Sequence, residues 1–160
     1  MTNGSKFNND HKGKNILVAP LDWGLGHATR CIPIINELFR LNYKVYIIAD
    51  NPIFLLLKRE FPHAVFLRRK GYEIRYHRHG KGLAFALVLQ TPKIIFRIIA
   101  EQRWLQRIVR DHQIDAVISD NRFGMYNRKI PCVYITHQLF IKTGNWLSEQ
   151  VAERIHLFFI

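Results

Sequence analysis

At 160 residues with 48% hydrophobic content, the chain has the size and composition of one domain with a real core. Its 24 Lys and Arg against 12 Asp and Glu give a net charge of +12, which selects anionic partners such as nucleic acid, lipid headgroups or phosphorylated substrates. A spanning helix is not expected, because the best apolar runs, 83–89 and 94–100, are parted by Gln90-Thr91-Pro92-Lys93 and fall short of about 20 residues.

Residues 1–14 are polar and have almost nothing to bury, so they read as a disordered lead-in without the apolar centre of a secretory signal. Ile16–Pro20 is a continuous apolar run, as expected of a strand covered on both faces of a parallel sheet. A helix follows over 31–41, with Ile34, Ile35, Leu38 and Phe39 at helical spacing and Asn42 as its stop. Because proline fits best in a first turn, Pro33 predicts that this helix begins near Cys31 or Ile32. Lys44–Ala49 is a second strand, 53–60 a short helix and Ala64–Leu67 a third strand. This β-α-β-α-β order is the first half of a doubly wound, Rossmann-like α/β sheet.

The basic segment 68–82 reads as an excursion. Thr91-Pro92 predicts the cap and first residue of a long helix to about His112, with an apolar stripe of Ile94, Ile95, Ile98, Ile99, Leu105, Ile108 and Val109. Ala116–Ile118 and Cys132–Ile135 are two more strands, and residues 145–160 read as a helix without a stop, so that the chain halts beside an element that wants a partner. The organisation expected is a lead-in over 1–14, a Rossmann-like domain over 15–148, and the start of a helix over 149–160 ahead of a C-terminal domain. Cys31 and Cys132 sit in apolar patterns, match no zinc spacing, and suit reduced thiols of a cytoplasmic protein.

In an open parallel sheet, ligands bind beyond the carboxyl ends of the strands. Three tips qualify: Asp22–Arg30, Asp120–Arg122 and His137-Gln138. The first reads Pro20-Leu21-Asp22-Trp23-Gly24-Leu25-Gly26-His27-Ala28-Thr29-Arg30. Its two glycines invite a dinucleotide reading, with Asp50 where a ribose-binding acid would sit, but Thr29 stands in place of the third glycine and the loop reads as too long. No Gly-Lys-Ser/Thr follows, so it is not a Walker loop. His27 is either an N-terminal cap or a neutral imidazole kept available as general base by the helix dipole, and Arg30 either a solvated cation or a ligand contact on the same side. Asp120 and Asn121 are either caps or hydrogen-bonding groups for a sugar or phosphate ester, and His137 and Gln138 carry the same alternatives. Along the long helix, Lys93, Arg97, Arg103 and Arg107 lie beside apolar residues, which suits an anionic membrane surface with Phe85, Leu87 or Phe96 dipping into it. Nucleic acid is the poorer match, because no binding motif occurs.

Taken together, the glycine turn, the later Val117-Ile118-Ser119-Asp120-Asn121-Arg122-Phe123-Gly124 and Val133-Tyr134-Ile135-Thr136-His137-Gln138-Leu139 resemble the N-terminal domain of GT-B glycosyltransferases. The closest likeness is to bacterial relatives of the enzyme that adds N-acetylglucosamine to the lipid-linked cell-wall precursor. The resemblance implies a sugar, N-acetylhexosamine by analogy, passed from a nucleotide sugar, UDP-linked, to a lipid-linked or cell-envelope glycan at the inner face of the membrane. It implies that Gly24 and Gly26 bring backbone amides near phosphates, that His27 is the base or a transition-state contact, and that Arg30, Asp120, Asn121, His137 and Gln138 line the substrate. It also implies a separate C-terminal domain as the main donor site, and neither a metal nor a resident cofactor. Two other readings remain: a non-catalytic module for glycans or anionic lipids, and a Rossmann enzyme using a dinucleotide or methyl donor.

Overall fold

The computed structural model describes residues 13–22, 24–69 and 83–136, with side chains from 95 onward in the last stretch. The elements run β1 (Asn15–Pro20), α1 (Leu25–Arg40), β2 (Lys44–Ile48), α2 (Ile53–Glu60), β3 (Val65–Leu67), α3 (Leu83–Asp111), β4 (Ile114–Asp120) and β5 (Cys132–Ile135). The strands form one sheet in the order β3-β2-β1-β4-β5, and every pairing is parallel. The chain winds outward from β1 to one edge, then returns to build the other edge from β4, so the order reverses between β1 and β4. Their register sets Pro20 opposite Asp120, which places the ends of both strands at one rim.

Alternation along the strands builds two cores. Ile16 and Val18 of β1, with Val45 and Ile47 of β2, pack under Ala28, Cys31, Ile35 and Leu38 of α1 and Ile53 and Leu57 of α2. On the opposite face, Leu17, Ala19, Tyr46, Ile48 and Val117 pack with Leu105 of α3 and with Met125. α1 ends in a left-handed stop at Asn42, φ 61°, where the Asn42 amide bonds to the carbonyl of Phe39 (2.9 Å) and the Tyr43 amide to that of Leu38 (3.0 Å). This double bond from beyond the helix is the Schellman arrangement expected of asparagine at that position. β1 in turn closes α3: the Asn15 side-chain amide donates to the carbonyls of His112 (2.9 Å) and Gln113 (3.0 Å).

Two helix starts differ from the sequence expectation. α1 begins at Leu25, six residues before Cys31, with Pro33 inside it, and α3 begins at Leu83 and runs through Pro92. A proline removes one ladder bond but does not forbid a helix whose other residues bury a continuous face. α1 keeps that face through Ala28, Cys31, Ile35 and Leu38, all buried. The apolar stripe of α3 is also narrower than expected. Ile98 and Leu105 are buried, whereas Ile95 and Ile99 are exposed. Ordered pairing starts just before β1, where the Lys14 carbonyl accepts the Lys44 amide (3.0 Å). The lead-in over 1–12, the excursion over 70–82 and the helix over 149–160 lie outside the described residues.

Candidate active site

β1 leaves the sheet at Pro20, and only Leu21 to Gly24 intervene before α1 begins. Gly24 closes that short turn at φ 143°, ψ 166°, a conformation essentially confined to glycine. Among the described residues no side-chain hydrogen bond caps the helix at Gly24. Among the described residues nothing stands within 4 Å of where a Cβ at Gly26 would be. The turn is therefore tight, which removes loop length as an argument against a dinucleotide fingerprint; Thr29 in place of its third glycine still stands against it.

The early helix start puts His27 in the first turn and Arg30 in the second, both above the end of β4. In β4, Ala116 and Ile118 pack on the α1 side and Val117 on the α3 side. Strand alternation then directs Asp120 toward α1 and Ser119 toward α3. His27 Nδ1 lies 2.9 Å from Asp120 Oδ2, and Arg30 donates to Asp120 Oδ1 at 3.3 Å. Asp120 has no exposed side-chain surface, His27 keeps 16% and Arg30 39%. An ionised carboxylate only accepts, so the proton of the neutral imidazole sits on Nδ1 and the lone pair on Nε2. This is the arrangement by which a buried acid orients a histidine base. The Asp120 carboxylate faces inward and reaches the rim through His27 and Arg30. The pairing itself joins residues 93 positions apart and is not legible from spacing alone.

The Asp120 charge marks its neighbours. Burial, then the Asp120 carboxylate, pushes the Cys31 thiol up to about 12, with Arg30 pulling the other way. Burial and then Asp120 likewise push the Tyr134 phenol up. Asn121 follows in a left-handed conformation, φ 57°, with its amide bonded to the Ile135 carbonyl (3.0 Å) and its side-chain oxygen accepting from the Tyr134 hydroxyl (3.3 Å). Nearby, Asp22 Oδ1 is buried without a hydrogen-bond partner among the described residues. Among the described residues no group of three His, Cys, Asp or Glu side chains could hold a metal ion. His137 and Gln138 lie outside the described residues.

Of the cations expected to face a membrane, Arg103 and Arg107 are exposed and Arg97 is half-buried, while the side chain of Lys93 lies outside the described set. Phe96 is 75% exposed, and the helical spacing lines it up with Ile99, Arg103 and Arg107 on one outward face. Among the described residues no helix is long and apolar enough to cross a membrane.

No family model and no curated protein matches the chain. In structure it is similar to Phytolacca americana UGT2, solved in complex with UDP-2fluoro-glucose and pterostilbene, with a TM-score of 0.53 at 14% sequence identity. The likeness covers 78% of this chain and 30% of that one. The likeness is one of fold: an α/β, Rossmann-like open parallel sheet with helices on both faces. In this chain the strand order reverses between β1 and β4, and the His27–Asp120 pair sits at that switch point.

Proposed function

We propose that the chain is the acceptor-side part of a nucleotide-sugar-dependent glycosyltransferase, with His27 as general base. The observation that carries this is the His27–Asp120 pair at the uncapped start of α1. In the reaction, His27 Nε2 takes the proton of an acceptor hydroxyl, the freed oxygen bonds to the anomeric carbon, and the sugar–phosphate bond breaks with its electron pair leaving on the nucleoside diphosphate. Asp120 stabilises the imidazolium that forms, and Arg30 shares the Asp120 charge. The amides beyond Gly24 and Gly26 and the positive end of α1 suit phosphate oxygens.

The donor proposed is UDP-linked, an N-acetylhexosamine by resemblance to the cell-wall family, and a C-terminal domain would supply most of its site. The UDP sugar bound to the plant structural neighbour supports the donor class. The acceptor proposed is a lipid-linked or cell-envelope glycan, met by a cytoplasmic protein resting on the inner membrane face. The Phe96, Ile99, Arg103 and Arg107 face of α3 and the net charge of +12 support that setting. The test is UDP release by the full-length protein from a panel of UDP sugars, with and without membrane lipid extract as acceptor. Extract-dependent release is expected, and its absence together with no UDP-sugar binding would overturn the proposal.

A further inference from the structure

Directly behind Asp120, on the α3 face of the sheet, lies a second charged pair that the proposed reaction does not use. Arg122 and Glu101 are both buried, at 1% and 2% exposure. Arg122 Nε donates to Glu101 Oε1 at 3.0 Å, and its Nη2 reaches the same oxygen. Glu101 occupies the inward stripe of α3 between Ile98 and Leu105, where an apolar residue would be the ordinary choice. A buried ion pair is a poor means of stabilising a fold, since desolvation of both charges offsets their attraction. Here part of the cost is left uncompensated, because Arg122 Nη1 is buried with no hydrogen-bond partner among the described residues.

What the pair does hold is the tip of β4. The Ser119 hydroxyl donates to the Arg122 carbonyl (2.8 Å) and accepts from the Arg122 amide (3.3 Å), closing a turn over Asp120 and Asn121. The Met125 amide binds the same Arg122 carbonyl (3.1 Å). Gly124 lets the turn lie directly on α3: a Cβ there would meet Glu101 Oε2 at 2.6 Å, Glu101 Cβ at 2.7 Å and the Ile98 carbonyl at 2.8 Å. The residue after Asp120 is left-handed and the residue after that is clamped to α3, so the direction of the Asp120 carboxylate is set from behind.

The geometry points to Glu101 and Arg122 as positioning residues that hold Asp120 beneath His27, a role that rests on the reading of His27 as base. The test reads the His27 tautomer from imidazole nitrogen and proton resonances of the labelled full chain, in the unaltered protein, in Glu101→Gln and in the double variant Glu101→Met with Arg122→Met. The double variant fills the same space with apolar atoms, and Glu101→Gln keeps the volume and one acceptor oxygen while removing the charge. Expected is one tautomer, with the proton on Nδ1, in the unaltered chain, and a mixture of tautomers in both variants while each still melts cooperatively. Retention of the single tautomer in the folded variants overturns the positioning role and leaves the His27–Asp120 pair standing. Should the double variant fail to fold, Glu101→Gln decides alone. Asp120→Ala separates the two readings: if it leaves the tautomer unchanged, the base reading fails and the positioning role falls with it.

Discussion

The Nδ1 nitrogen of His27 stands 2.9 Å from Oδ2 of Asp120, with the acid fully buried and the imidazole at the rim. A carboxylate cut off from water holds the imidazole in one orientation. The pair therefore acts as a unit, and losing either member should cost similar amounts. In the proposed reaction, His27→Ala should lower the transfer rate by about 10²–10⁴-fold with little change in melting temperature. Asp120→Ala should lower it comparably and also destabilise the fold, since it leaves Arg30 without its carboxylate (3.3 Å). UDP release and thermal melts on the same preparations check both effects.

Gly24 and Gly26 should separate folding from binding. Gly24 sits at φ 143°, so Gly24→Ala should destabilise by about 1–3 kcal/mol through backbone strain alone. Gly26 lies within α1 with open space around it, so Gly26→Ala should leave stability unchanged or raise it by up to about 1 kcal/mol. If the open space at Gly26 is used by substrate, the same methyl group should weaken UDP-sugar binding. Chemical denaturation and ligand titration of the two variants read the two effects separately.

Alkali should destabilise the protein by way of Cys31. The folded state holds this thiol neutral up to about 12, whereas an unfolded cysteine ionises near 9.0. A raised folded value means that the stabilisation is complete below the unfolded value and is lost as pH rises toward the folded one. The loss should approach about 1 kcal/mol per pH unit above pH 9. Tyr134, also pushed up, adds in the same direction at higher pH. Melting temperatures from pH 8 to 11 should fall less steeply in Cys31→Ala. At pH 8 iodoacetamide should leave Cys31 unmodified until the chain is unfolded.

On the outward face of α3, the double substitution Arg103→Gln with Arg107→Gln should weaken binding to phosphatidylserine vesicles. At about 1 kcal/mol per basic residue near an anionic surface, the loss is about 2 kcal/mol, or roughly 30-fold. Co-sedimentation at low salt measures it. Binding of the unaltered protein that persists at high salt would remove the electrostatic part of the membrane proposal.

The strands could be read from their short apolar runs, most plainly the buried β1 and β2, and the adjacency of the first and fourth follows from the doubly wound order. The start of α1 could not, because local proline rules outweighed a buried face that shows only when Ala28 and Cys31 are counted with Ile35 and Leu38. His27 was identifiable as a candidate from its place after two glycines, but its partner was not, since that pairing depends on strand register. Glu101 left one signal in the sequence: an acid three residues after Ile98 and four before Leu105, on the stripe that faces the sheet. An acid there needs a buried cation, and the Arg122 that supplies it is reached only through the fold.

Pro33 has no N–H to offer the carbonyl of Thr29, so the ladder of α1 lacks a rung halfway along its 16 residues. The half that carries His27 and Arg30 is joined to the half that carries Ile35 and Leu38 with one fewer tie than an ordinary helix has. Its tilt is governed largely by how Ala28 and Cys31 seat against the sheet. The pitch of the imidazole toward an incoming molecule can therefore be trimmed from inside the protein, by resizing side chains that no ligand ever meets.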